Sequence, residues 1–136
     1  MLECLGEWRA AEKIFRSNAK VARAAGEEML LADDLRGLFK VLVRQGCYEE
    51  AEKIIDEVDS IYLVQGDLSG RIRVGNDRAE LHKMRGDYAC SESLARTQLD
   101  LATRNGDRIE QFRALNIIGV LLCMRGQSAQ GAEIFA

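Results

Sequence analysis

The sequence predicts an all-α protein, and three observations predict it. Gly6, Gly26, Gly46, Gly66, Gly86, Gly106 and Gly126 fall at every twentieth position. Between them the chain is dominated by alanine, leucine, glutamate and arginine, which lose little conformational freedom in a helix. Proline is absent from all 136 residues, so nothing obliges a helix to break inside these intervals.

A glycine just past the end of a helix supplies the left-handed conformation that closes it. The ladder therefore predicts about seven helices, near 7–24, 28–45, 48–64, 68–84, 88–104, 108–124 and 128–136. Glu7, Glu27, Asp67, Asp87 and Asp107 follow the glycines, where a carboxylate caps or faces the positive end of the next helix. The stretch Arg85-Gly86-Asp87-Tyr88 is then a turn rather than an adhesion tripeptide, because the same slots recur as Gly46-Cys47-Tyr48 and Gly126-Gln127-Ser128.

Alternate turns are equivalent, which makes the repeat two helices long, twice the glycine interval. The first helix of the chain carries Trp8, Ala11 and Phe15. The third carries Tyr48, Ala51 and Ile55 at the same offsets, the fifth Tyr88, Ser91 and Ala95, the seventh Ser128, Gly131 and Phe135. In the third helix Tyr48, Ala51, Ile55, Val58 and Tyr62 form an apolar stripe at 3-4-3-4 spacing. The small residue lets two backbones approach closely. The second helix carries Leu35, Leu38, Phe39 and Leu42, and the sixth Leu115, Ile118, Gly119 and Leu122. The fourth breaks the pattern: Gly75, Arg78 and His82 stand where its neighbours have leucine or isoleucine. Rotation or bending at Gly75 would let Ile72, Val74, Leu81 and Met84 pack instead, with Arg78 reaching solvent along its stem; the alternatives are a polar pocket or pH-sensitive contact, and a simple misalignment of this helix with its neighbours.

These residues resemble tetratricopeptide repeats. Leu115, Ile118, Gly119, Leu122, Gly126, Gly131 and Phe135 follow that family's order, as do Gly86, Tyr88 and Ser91, and Gly46, Tyr48, Ala51 and Ile55. The forty-residue period is similar to the long-helix subgroup found in bacterial signalling regulators and adaptor proteins. The resemblance implies an α-solenoid of antiparallel helix pairs wound into a right-handed superhelix. It spans a single domain, 1–136, with units near 1–26 (partial), 27–66, 67–106 and 107–136. Residues 1–5 read as the tail of a helix, and the last residues stop inside one. A piece of a longer array is expected, with apolar ends prone to self-association.

The resemblance also implies that the first helix of each pair lines an inner groove. Its groove positions map onto Asp33, Arg36, Lys40 and Val43, then Arg73, Asn76, Glu80 and Lys83, then Arg113, Asn116, Val120 and Cys123. Arg36, Lys40, Arg73, Asn76, Lys83, Arg113 and Asn116 are the expected ligand contacts. Asparagine both donates and accepts, and arginine grips carboxylates with two parallel bonds. The inner helices are rich in arginine and lysine. The outer ones carry Glu7, Glu12, Glu49, Glu50, Glu52, Asp56, Glu57 and Asp59. A basic groove facing an acidic peptide is expected, with Asp33 and Gly37 arguing against chaperone tails.

Composition narrows the function further. Apolar residues make up 47% of the chain and charged residues 30%, enough for a core and a polar surface. A net charge of −3 argues against general affinity for nucleic acid or anionic membranes. No apolar run is long enough to span a bilayer, and the acidic start is unlike a secretory signal, so the cytoplasm is the default expectation. Cys4, Cys47, Cys90 and Cys123 have no Cys-x-x-Cys spacing and read as free, partly buried thiols. One histidine and no clustered glycines leave no Ser-His-Asp set or phosphate loop, so no enzyme, metal or cofactor is expected. The reading is a non-enzymatic scaffold for a protein or peptide. The alternative is the effector-sensing segment of a bacterial LuxR-type transcription regulator, with DNA bound by another segment.

Overall fold

The computed structural model describes residues 2–126, and these form six α-helices and no strand. They are α1 (Leu2–Ala25), α2 (Glu28–Arg44), α3 (Tyr48–Gln65), α4 (Leu68–Met84), α5 (Tyr88–Asn105) and α6 (Arg108–Met124). The helix expected over 128–136 lies outside the described residues. The chain divides into two compact units, Met1–Asp67 and Leu68–Ala136. Unit 1 contains α1–α3, with α2 packed on both α1 and α3; in unit 2, α5 packs on α4 and α6, and α4 also meets α6.

The turns share one construction. Gly26, Gly46, Gly66, Gly86, Gly106 and Gly126 all have φ between 68° and 84°. After α2, the Cys47 N–H donates to the Leu42 carbonyl (2.9 Å) and the Gly46 N–H to the Val43 carbonyl (3.1 Å). The same pair of bonds recurs at Gly66 (Asp67 to Tyr62, Gly66 to Leu63) and at Gly86 (Asp87 to His82, Gly86 to Lys83). It recurs again at Gly26 and Gly106. This is the Schellman closure, in which a left-handed glycine lets two N–H groups reach back to carbonyls that the helix end leaves unpaired.

Gly6 departs from the ladder. It lies inside α1, which runs unbroken through it, and it has no positive φ. Glycine permits a left-handed turn without imposing one. Leu5 and Glu7 on either side are good helix formers, and the backbone here keeps its helical conformation. The acidic residues after the glycines behave unequally too. The Asp107 carboxylate caps α6 by accepting from the Glu110 N–H (3.2 Å), whereas Glu27 and Asp87 make no side-chain cap bond.

In unit 1, Leu31, Leu35, Leu38, Phe39 and Leu42 of α2 and Ala51, Ile55, Val58 and Tyr62 of α3 are buried. A Cβ at Gly37 would fall 2.4 Å from the Phe15 ring of α1, so the absent side chain makes room for that ring. In unit 2 the core joins Ala79 of α4, Ala95 of α5 and Ile117, Ile118 and Leu121 of α6. Ser91 occupies the small-residue slot of α5, and its Oγ donates to the Ala79 carbonyl at 2.6 Å.

The fourth helix packs as its irregular pattern suggests, with one exception. Ile72, Val74 and Leu81 are buried, but Met84 is exposed. Gly75 lies under the buried Gln98 of α5, whose side chain takes the space a Cβ would need. Arg78 and His82 are half-buried rather than enclosed. On α6, Leu115 is exposed together with Ile109 and Phe112, so only part of the expected stripe is covered among the described residues.

Candidate functional site

The seven expected contact residues meet very different surroundings. Lys40 on α2 and Asn116 on α6 are exposed, whereas Arg36, Arg73 and Lys83 are half-buried. Asn76 is fully buried, and its amide nitrogen donates to both the backbone carbonyl and Oε1 of Glu110, each at 3.1 Å. Its Oδ1 is buried without a hydrogen-bond partner. Asn76 is therefore an internal tie between α4 and α6 and does not present its amide to a ligand.

Arg113 is likewise committed. Its Nη2 donates to Asp77 Oδ1 (2.8 Å) and Glu80 Oε1 (3.2 Å), and its Nη1 to Glu110 Oε1 (2.9 Å). Asp77 and Glu110 are buried, while Glu80 is half open to solvent. Burial by itself would lower the pKa of Arg113. The charge and hydrogen bond of Asp77, followed by the charges of Glu80 and Glu110, together outweigh it, and the pKa stands above its ordinary value. The guanidinium stays charged and its donors are directed to carboxylates of its own chain.

Asp77 and Glu110 were not among the expected site residues. Asp77 and Arg113 are 36 residues apart, four fewer than the repeat. Stacking the sequence at the repeat aligns Arg113 with Arg73 and hides the partner one helical turn further on. The offset of one turn between α4 and α6 in this contact is the signal that would reveal it.

The charge distribution also differs from the expectation of acidic outer helices. α3 is acidic, with Glu49, Glu50, Glu52, Asp56, Glu57 and Asp59 against Lys53. α1 instead exposes Arg9, Lys13, Arg16, Lys20 and Arg23. Alternating steps of four and three residues keep these cations within one side of the helix. Arg16 donates to Glu50 of α3 at 2.7 Å, and Arg23 donates to Glu57 at 2.7 Å. A shallow hollow of about 460 Å³ lies beside Arg9, Ala10, Glu12, Lys13 and Arg16.

The remaining titratable groups are local. His82 Nδ1 lies 3.4 Å from Asp87 Oδ2 across the turn. Cys47, Cys90 and Cys123 are free and exposed, not partly buried; the side chain of Cys4 lies outside the described set. The hydrogen bond and charge of Asp87 push the Cys90 thiol pKa up, because a neighbouring carboxylate disfavours the thiolate. Among the described residues no cluster of His, Cys, Asp and Glu has the geometry to hold a metal ion, and no helix is long and apolar enough to cross a membrane. No model of a known protein family matches the chain, and a search among curated proteins finds no match.

Proposed function

We propose that the chain is a non-enzymatic scaffold of tetratricopeptide-like helix pairs that holds another protein or a peptide. The observation that supports this most is the recurrence of one turn. Among the described residues, six left-handed glycines stand at equal intervals, and five of them carry the same paired backbone bonds. A sequence that repeats both turn and apolar phase builds the same helical hairpin several times, and stacked hairpins form an α-solenoid. Such arrays expose columns of side chains on regular helices, which suits them to holding extended or helical segments.

The basic inner-helix reading is retained in narrower form. Arg36 and Lys40 of α2 remain contacts for an acidic peptide in unit 1, and Arg73, Lys83 and Asn116 in unit 2. Asn76 and Arg113 leave that set and serve as internal structure. The non-enzymatic reading is favoured by how the titratable groups that do gather are arranged. Arg113 is bonded to Asp77, Glu80 and Glu110 together, so these groups serve as a tie between α4 and α6.

The test is binding of labelled acidic peptides by fluorescence anisotropy, using the wild type and a Lys40→Glu, Arg73→Glu variant. Weakened binding in the variant supports the basic surface, and unchanged affinity refutes it. Native mass spectrometry separates the alternative: a small metabolite retained in place of a protein favours the effector-sensing segment.

A further inference from the structure

We propose that the open side of α1 is a docking surface for an acidic amphipathic helix of another protein. This deepens the scaffold reading but uses a surface separate from α2, α4 and α6. α1 and α3 occupy equivalent places in the repeat, one full period apart, so each residue of one has a counterpart on the other. Charged side chains join the two. Glu50 and Glu57 of α3, two turns apart, accept from Arg16 and Arg23 of α1. Beside those carboxylates α3 carries Ile54 and Ile61, half-buried and buried respectively.

The counterparts of Glu50, Ile54, Glu57 and Ile61 on α1 are Ala10, Ile14, Ser17 and Val21. All four are exposed, with Ile14 at 58% and Val21 at 67%. They form a seam of small and apolar residues at 4-3-4 spacing, which allows a second helix to approach closely. The border of the seam is reversed in charge. Where α3 offers carboxylates, α1 has neutral Ala10 and Ser17 flanked by the exposed Lys13 and Lys20, themselves two turns apart.

This combination selects the occupant. A helix with apolar residues for Ile14 and Val21 and carboxylates two turns apart satisfies both the seam and the lysines. The register of the α1–α3 contact, repeated on this side, requires carboxylates where α1 itself uses Arg16 and Arg23. A second copy docking through α1 would bring Arg16 and Arg23 against Lys13 and Lys20. One docking through α5 would bring Arg96, the counterpart of Arg16, to the same place, and like charges oppose both arrangements. One docking through α3 would bring Asp56 but Leu63 in place of the second carboxylate, and so satisfies only one of the two lysines.

The experiment uses the full chain and a synthetic amphipathic helix with glutamates at the Glu50–Glu57 spacing and leucines beside them. Its controls are a scrambled peptide of the same composition and a twin with lysines in place of the glutamates. Binding of the acidic helix should weaken about tenfold in a Lys13→Glu, Lys20→Glu variant, which should in turn bind the lysine twin. An Ile14→Ser, Val21→Ser variant should weaken binding while leaving the charges in place. Circular dichroism checks that each variant is folded. These comparisons, the scrambled peptide included, are made in a Lys40→Glu, Arg73→Glu background, which removes the inner-helix surface; the loss on reversing Lys13 and Lys20 should persist there, so the two surfaces succeed or fail separately. Equal binding of the scrambled peptide, or no change on reversing the two lysines, would overturn the proposal. So would sedimentation showing that the wild type self-associates and the lysine variant does not, since the occupant would then be a second copy.

Discussion

Asp77 and Arg113 meet at 2.8 Å although 36 residues separate them in the chain. The contact joins a buried carboxylate on α4 to a guanidinium on α6 that also holds Glu80 and Glu110. A charge removed from water is tolerated only while its partners are present, and deleting one partner of a buried pair typically costs about 3–5 kcal/mol. Arg113→Ala removes the cation that the buried Asp77 and Glu110 carboxylates share and should lower the unfolding free energy by roughly 3 kcal/mol, read from urea denaturation. Asp77→Ala should destabilise less, because Glu80 and Glu110 still hold the guanidinium, and the double variant should lose less than the sum of the two. Strict additivity would mean that the pair is not coupled in solution.

Two glycines of one ladder should respond in opposite ways to the same change. Gly66 has φ 68°, and a Cβ there would meet nothing within 4 Å, so the cost of Gly66→Ala is conformational. It should destabilise by about 1 kcal/mol. Gly6 also has open space around its Cβ position, but it lies inside α1 without a positive φ. Gly6→Ala should raise local helix stability by up to about 1 kcal/mol, visible as slower amide exchange in the first turns of α1. Faster exchange there would mean that Gly6 closes a turn after all.

Ala51 is fully buried in α3, at the slot where the repeat keeps a small residue. Ala51→Leu should overpack that contact and cost about 1–3 kcal/mol. A melting temperature equal to that of the wild type would show that the slot has room and that the assigned register of α3 is wrong.

Asp87 raises the pKa of Cys90, so less of this thiol is thiolate at mildly alkaline pH. Asp87→Asn removes that negative charge, lowers the thiol pKa and increases the thiolate fraction. Alkylation of Cys90 by iodoacetamide near about pH 8, followed by mass spectrometry, should be faster in the variant. An unchanged or slower rate would mean that the carboxylate does not act on this sulfur.

Much of the helical framework was legible because its determinants are local. Glycine's access to positive φ sets each stop, and helix-forming residues fill the intervals. The boundaries of α4 and α6 coincide with those expected, and the other internal helices differ from expectation by a residue. The candidate site was less legible. Lys40 and Asn116 are as open as a contact residue needs to be, but Asn76 and Arg113 are turned to internal use. Their residue types fit a ligand as well as they fit Glu110 and Asp77. Composition cannot tell which carboxylate an arginine will reach.

The sequence alone determined where the described helices stop after α1 and which stripes of α2 and α3 are apolar. Those properties depend on neighbours one or two turns away. The tertiary structure decided that Gly6 continues a helix, that Gly75 receives Gln98, and that Arg113 is neutralised from within. Each depends on how the chain packs beyond its nearest neighbours. The α4–α6 bonds are offset by about one to two turns from the forty-residue period, and that offset is a property of packing that the spacing of residues along one chain does not carry.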